Sequence, residues 1–318
     1  MKIRFWGVRG SIPTPFTSVD IRNKLKNVLK LATPRDISSD EAIEKYLDSL
    51  PFSLSGTYGG NSTCLEVRTE SGEIIIIDCG TGLKNLGEKL MKEDFGKGNG
   101  IGNILLTHTH WDHIQGIPFF VPFYIKGNRF NLYCPFNDIK ERLEYQQNST
   151  HFPVNLDYML ATKEFFPLKK EGEFYLNDIK IINKRMRHPG GSFGYRIEEN
   201  EKTFIYTSDC EFNIDEIDRI GTYDDFFRNA DVIVFDTQYT FEEYINKIDW
   251  GHSPASIAID IASRFNIKRL ILFHHDPYYS DEKLDSVLSN AKAYMEVTIK
   301  SKQSLDVEIA YEGMEIEL

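Results

Sequence analysis

His108, His110, Asp112 and His113 fall within six consecutive positions, in the stretch THTHWDH. Neutral imidazole and carboxylate are the groups that zinc and related divalent cations accept as ligands. The stretch follows the apolar residues Ile104, Leu105 and Leu106, with the glycine-rich GKGNGIGN upstream, and so reads as the exit of a short buried strand. If the chain stays extended past Leu106, residues 108, 110 and 112 point to one side, and Thr109 and Trp111 to the other. A turn after Asp112 then brings His113 into the same region. A chance polar loop accounts for a lone histidine but not for this alternation.

The remaining candidates are scattered along the chain. Of the eight histidines, His188 lies in RHPGGSFGYRI, before a strand-like run, and His252 lies in WGHSPAS, at a helix start. His274 and His275 both follow LILF, and they compete for one ligand place. Asp209 ends a strand in YTSDCE. Its neighbour Cys210 reads as a small buried side chain. Asp78 and Asp236 also end strands; they either orient ligand imidazoles or cap loops. His151, in STHFP, has no ligand-like company and reads as structural or surface.

Positioning these groups requires a scaffold of strand ends. EIIIID ends at Asp78, NILLTH at His108, KTFIYTSD at Asp209, DVIVFD at Asp236 and RLILFHH at His274 and His275. Helical patterns lie between some of them, over 82–95, 253–266 and 281–297. Buried strands alternating with amphipathic helices predict an α/β fold with the functional groups at one sheet edge. Residues 19–50 differ. They read as two helices broken at Thr33-Pro34, the second capped by Ser38 or Ser39. This block either borders the mouth of the site, narrowing access to small substrates, or forms a surface hairpin. No solenoid repeat or low-complexity segment is evident.

Composition narrows the function. The 318 residues are 41% hydrophobic and 27% charged, enough for a large core. A net charge of −11 repels long polyanions, so extended nucleic acid is an unfavourable partner. The basic stretch KIINKRMRH (180–188) reads mostly as a solvated face. No apolar run is long enough to span a membrane, and MKIRFWGVRGSIP carries no secretory pattern. Cys64, Cys79, Cys134 and Cys210 are scattered, without metal-type pairing, which fits a reducing, cytoplasmic setting. A homodimer is the default assembly.

With these residues in hand, HTHWDH matches the HxHxDH signature of the metallo-β-lactamase fold hydrolases. His188 before a strand, Asp209 after one and a final histidine, His274, match that family's later elements in order. The GHS at 251–253 and the LILFHHDP that follows resemble its phosphodiesterase branch, which includes RNase Z and the phosphonate-pathway cyclic phosphodiesterase. WGVRGSIP, YGGNSTCLEV and DCGTGL are similar to N-terminal motifs of bacterial members. The resemblance runs from about residue 3 to about residue 280 and is weaker over 15–57 and the C-terminal tail.

The resemblance implies a four-layer αβ/βα sandwich: a single metallo-β-lactamase-like domain over 1–318, with a helical insertion at about 15–57. It implies two divalent metal ions, zinc first, with manganese or iron accepting the same ligands. Carried over, His108, His110 and His188 hold one metal. Asp112, His113 and His274 hold the second, and Asp209 bridges both. The first histidine after LILF matches the family position, so His274 is preferred to His275. A hydroxide bridging the metals is then the nucleophile, since coordination lowers the pKa of water from about 15.7 toward ~7. His252 matches a non-ligand histidine beside the leaving group and is expected to be catalytic. Asp112 is counted both as ligand and as catalytic residue.

The expected function is hydrolysis of a small, cyclic-nucleotide-like phosphodiester. An aspartate, not a cysteine, at the bridging position argues against a β-lactamase. RNase Z grips tRNA with a Gly/Pro-rich arm, and no such arm is present, which argues against a tRNA nuclease. The alternatives are a thioester or lactone hydrolase, or a catalytically silent metal-binding partner protein.

Overall fold

Along the strand Ile74–Ile77, Ile75 and Ile77 point into one apolar layer and Ile76 into another. Alternation places successive side chains on opposite faces, so a strand apolar at every position must be covered on both sides. The computed structural model, which describes residues 1–213, 220–299 and 305–318, shows both covers.

The described residues form two seven-stranded sheets. The first runs in the order β14 (Glu315–Glu317), β1 (Lys2–Gly7), β2 (Cys64–Arg68), β3 (Ile74–Ile77), β4 (Ile101–Leu105), β5 (Arg129–Cys134), β6 (Thr162–Pro167). The second runs β13 (Asp306–Ile309), β12 (Arg269–Phe273), β11 (Val232–Asp236), β10 (Lys202–Tyr206), β9 (Ser192–Glu199), β8 (Ile179–Met186), β7 (Gly172–Leu176). β3 to β6 are mutually parallel, as are β10 to β13.

The faces explain the layering. Ile3, Phe5, Leu65, Val67 and Leu105 of the first sheet meet Ile181, Ile197, Phe204, Val234 and Ile271 of the second. Fully burying each such side chain contributes roughly 1.5–3 kcal/mol. On the outer face of the first sheet, Cys64, Ile76 and Ile104 pack on Leu83, Leu86 and Leu90 of a helix over Gly82–Leu90. On the outer face of the second, Ile205, Ile233 and Leu272 pack on Ile257, Ile261 and Leu284 of the helices Ala255–Arg264 and Asp281–Thr298. The result is the expected four-layer αβ/βα sandwich, in the order helix, sheet, sheet, helix.

Two expected boundaries move. The helix over 82–95 stops at Leu90 and gives way to a 3₁₀ turn at Asp94–Lys97, closed by Gly98 in the left-handed region (φ 77). In THTHWDH, extension ends before Asp112: a helical turn spans Trp111–Ile114.

The N-terminal helices are α1 (Ser18–Leu31) and α2 (Asp40–Ser49), joined through Thr33-Pro34, with Ser39 rather than Ser38 as the second cap. Thr17 and Asp20 form a reciprocal capping box on α1. Neither helix has a buried residue. The Tyr46 hydroxyl of α2 donates to the Val28 carbonyl of α1 at 2.6 Å, and Lys24 of α1 ties the pair to the body through the buried Asp281 at 2.5 Å.

Candidate metal centre

The parallel strands of each sheet open at the same edge, and loops leaving those strand ends carry the titratable groups. β3 leads to Asp78, β4 to His108, β8 to His188, β10 to Asp209, β11 ends at Asp236 and β12 leads to His274. Carboxyl ends of strands are where α/β folds collect ligand groups. Asp78, Ser208 and His274 adopt left-handed backbone at φ 58, 58 and 62. Non-glycine residues pay strain there, and such residues cluster where side chains are aimed for function.

The groups converge in three overlapping sets with donor atoms within 4.8 Å of one another: His108, His110, His188 and Asp209; Asp112, His113, Asp209 and His274; Asp209, Asp236, His252 and His274. Asp209 belongs to all three. Its Oδ1 lies 3.1 Å from His113 Nε2 and 3.2 Å from His274 Nε2, while Oδ2 lies 3.6 Å from His108 Nε2 and 3.8 Å from His188 Nε2. His274 Nε2 and His113 Nε2 stand 3.1 and 3.4 Å from Asp112 Oδ2.

Outer partners aim the imidazoles. His113 Nδ1 donates to Asp78 Oδ2 at 2.7 Å, and His188 Nδ1 to the Gly251 carbonyl at 3.0 Å. His108 Nδ1 lies 3.1 Å from Thr107 Oγ1, which itself donates to Asp78 at 2.8 Å. Fixing the proton on Nδ1 leaves the Nε2 lone pair facing the centre. Asp78 thus orients a ring, one of the two roles its sequence position allows. Asp236 has the same role toward His252, whose Nδ1 donates to Oδ2 at 2.8 Å.

His108 Nε2, His113 Nε2 and Asp209 Oδ1 are buried and make no hydrogen bond, although they face one another. Orphaned buried polar atoms are costly and rare in a folded chain. Nitrogen and carboxylate donors facing a common point are the set that a divalent cation satisfies, and these residues therefore fit one.

The electrostatics agree. Burial is the largest influence on His108, His110 and His188 and holds them below the ordinary imidazole range. Burial opposes charge on His113 and His274 as well, but carboxylates outweigh it. Asp209, Asp112 and Asp78 raise His113, while Asp209, Asp112 and Asp236 raise His274 to about 9. Burial alone would raise Asp209 and Asp112; His113 overrides it and holds both well below the carboxylate range, with His274 adding to the effect.

His274 and His275 part company here. His275 turns away, donating from Nε2 to the Ala310 carbonyl at 2.8 Å, and burial, aided by Arg9, lowers it to about 3. Cys210 is also turned away: its side chain lies in the apolar layer with Phe212 and Tyr239, and burial pushes the thiol well up. His151 is at the surface, against Asn148 and Tyr145. Lys180 and Lys184 pair with Glu173 and Glu171, and Arg187 with Asp249, as a solvated basic face should.

One site residue escaped the sequence reading. The backbone N–H of Ser11, in the loop after β1, donates to Asp112 Oδ2 at 2.8 Å. The signal is Gly10, where a Cβ would collide with the His274 ring. Ser11, Thr109, His110, Trp111, His252 and His274 line a cleft of about 380 Å³ over the cluster.

Comparison with known proteins follows the same lines. Residues 74–275 match the family model described as a beta-lactamase superfamily domain. The ribonuclease Z of Oceanobacillus iheyensis is 24% identical over 293 residues, covering 75% of this chain and 90% of that protein. A metallo-β-lactamase fold protein of Bacillus subtilis, YhfI, has a TM-score of 0.63 at 17% identity, covering 100% of this chain and 98% of that one. The short form of human tRNase Z has a TM-score of 0.60, also at 17% identity, covering 100% and 99%.

Proposed function

Since the chain belongs to the beta-lactamase superfamily domain family, as the resemblance of HTHWDH implies, we propose that it is a metal-dependent hydrolase cleaving a small phosphodiester. The observation carrying this reading is the convergence on Asp209 of imidazoles and carboxylates from both sheets, with unpartnered donor atoms at its centre. His108, His110 and His188 would hold one cation and Asp112, His113 and His274 another, with Asp209, whose carboxylate has two oxygens, available to both. When bound, such cations, zinc first, supply an activated water nucleophile at neutral pH and neutralise phosphoryl charge.

The chain's own residues do the rest. The Ser11 N–H and the Asp112 carboxylate hold each other, which keeps Asp112 aimed at the centre. His252 lies in the cleft, its ring 5.1 Å from that of His274 and 5.3 Å from that of His188. With Nδ1–H held on Asp236, the imidazolium form of the ring carries its second proton on Nε2; that proton passes to the departing oxygen and leaves the neutral Nδ1–H ring on Asp236. An alkoxide leaves poorly without that proton, so a general acid here contributes on the order of 10²–10⁴ in rate. Asp236 is the positioning residue for this acid.

The relative from Oceanobacillus is a ribonuclease Z, which supports phosphodiester chemistry. The net charge of −11 favours a small diester over a long polyanion. No described helix is long and apolar enough to cross a membrane. All four cysteines are free and buried, and we place the protein in a reducing, cytoplasmic setting.

The test is an assay of the zinc-loaded protein against bis-p-nitrophenyl phosphate, cyclic nucleotides, a thioester, a lactone and a β-lactam. Turnover of the diesters with little on the others is expected. Turnover confined to the thioester or lactone would reject the reading.

A further inference from the structure

We propose that the hydroxyls of Ser11 and Thr109 are the donors that grip the two non-bridging oxygens of the phosphoryl group, with Gln238 and Arg142 as the residues that position them. The inference rests on the diesterase reading and assigns further substrate-binding residues to that same site.

Both residues line the cleft of about 380 Å³ over the cluster, and each stands beside one ligand set. Thr109 lies in the chain between His108 and His110, both of the first set. Ser11 donates its backbone N–H to Asp112 Oδ2, of the second set, at 2.8 Å. Each hydroxyl oxygen also accepts from a neighbouring side chain. Arg142 Nη1 donates to Thr109 Oγ1 at 3.0 Å, and Gln238 Nε2 donates to Ser11 Oγ at 3.2 Å. A guanidinium carries only donors, so Thr109 can only accept from it and keeps its own proton for another partner. Ser11, accepting from an amide N–H, keeps its proton in the same way. Among the described residues, neither hydroxyl donates to a protein acceptor.

The supports of both hydroxyls are fixed. The Arg142 guanidinium lies over the Phe136 ring at 4.3 Å, and its Nε pairs with Asp138 at 3.0 Å. Gln238 is buried, and its backbone N–H donates to Asp236 Oδ1 at 3.2 Å. Ser11 itself sits in the left-handed region at φ 61, where a non-glycine residue pays strain. This conformation holds its N–H on Asp112 and its Oγ on Gln238 at once. A hydroxyl that accepts from one donor is polarised and donates more strongly to the next acceptor, and the bond is stronger again where that acceptor is an anion. Two aimed donors suit a phosphoryl anion, which presents two non-bridging oxygens. A thioester or lactone carbonyl presents one.

The probe is inorganic phosphate. Its binding to the zinc-loaded full chain is measured by equilibrium dialysis, with zinc content determined alongside. Thr109→Val deletes one hydroxyl at nearly constant shape. Ser11→Gly deletes the other while suiting φ 61 and keeping the N–H on Asp112. Each should weaken phosphate binding about 10- to 100-fold with zinc retained, and Thr109→Ser should keep most of the native affinity. Gln238→Leu should weaken binding as well, yet cost nothing further in the Ser11→Gly background, because it acts through that hydroxyl. Additive losses from these two substitutions would overturn the positioning role of Gln238. Affinity within about twofold of the native chain in either hydroxyl-less variant, or a loss that tracks loss of zinc, would overturn the proposal. Ser11→Gly decides the matter if Thr109→Val fails to fold. Turnover of bis-p-nitrophenyl phosphate by the native chain separates the two readings. Turnover with unchanged phosphate affinity in the variants sinks only the paired donors. Weakened phosphate binding in the variants without native turnover sinks only the diesterase.

Discussion

Asp78 is fully buried, and its carboxylate accepts from Thr107 N at 2.9 Å, from Thr107 Oγ1, from His113 Nδ1 and from the Tyr206 hydroxyl at 3.4 Å. Replacing it with alanine leaves buried donors unpaired, at about 1–3 kcal/mol each, and frees the His113 ring to turn. Asp78→Ala should therefore weaken zinc binding about 10- to 100-fold, measured by competition with a chelator. Unchanged affinity would remove Asp78 from the centre. At His252 the expected effect is on chemistry instead. His252→Ala should keep its metals and lose on the order of 10²–10⁴ in turnover, with a smaller loss on p-nitrophenolate esters, whose leaving group needs no proton. Equal losses on good and poor leaving groups would end the general-acid role. The residues supplying imidazole or carboxylate were legible in the sequence because those groups are chemically distinctive. Ser11 was not, because it contributes a backbone N–H, which every residue but proline possesses.

Two local elements decide how the side chains are presented. The turn at Trp111–Ile114 begins two residues earlier than simple alternation suggests, which puts Asp112 and His113 into the second set while His108 and His110 stay in the first. Alternation revealed that these residues share a region, but periodicity does not locate the residue at which a strand gives way to a helix. Gly251 is the second such element. It sits at φ 93 with its carbonyl on His188, and a Cβ there would collide with the His188 ring and Pro189. The helices α1 and α2 were also legible, from their caps and spacing. The sequence left open whether they border the site. Asp20, Asn23 and Lys24 of α1 line a pocket together with Arg9 and Pro277, which lie two residues from Ser11 and three from His274 along the chain. Because neither helix has a buried residue, replacing residues 18–49 by a short linker should leave the sandwich folded. It should raise activity on bulky diesters relative to small ones by removing a wall. A folded deletion variant with unchanged selectivity would make the block a surface feature only.

Over the whole molecule, the α/β class followed from buried strands alternating with helices, whereas the four-layer architecture was implied by the resemblance of HTHWDH and the later motifs to the metallo-β-lactamase fold hydrolases. The strand order was not legible. β14, at the end of the chain, pairs with β1 in a register that sets Ile3 against Ile316, and local sequence carries no mark of so distant a partner. The same closure brings the loops of both sheets to one edge, and neither half holds the cluster alone: His108, His110, Asp112 and His113 come from the first, His188, Asp209 and His274 from the second. The most direct test is a crystal structure of the zinc-loaded chain with anomalous data collected at the zinc edge. Two peaks roughly 3.5–4 Å apart are expected, each about 2.0–2.2 Å from its ligand atoms. One should lie among His108, His110 and His188, the other among Asp112, His113 and His274, with Asp209 touching both. Two peaks that do not share Asp209, a single peak, or peaks elsewhere on the chain would contradict the account.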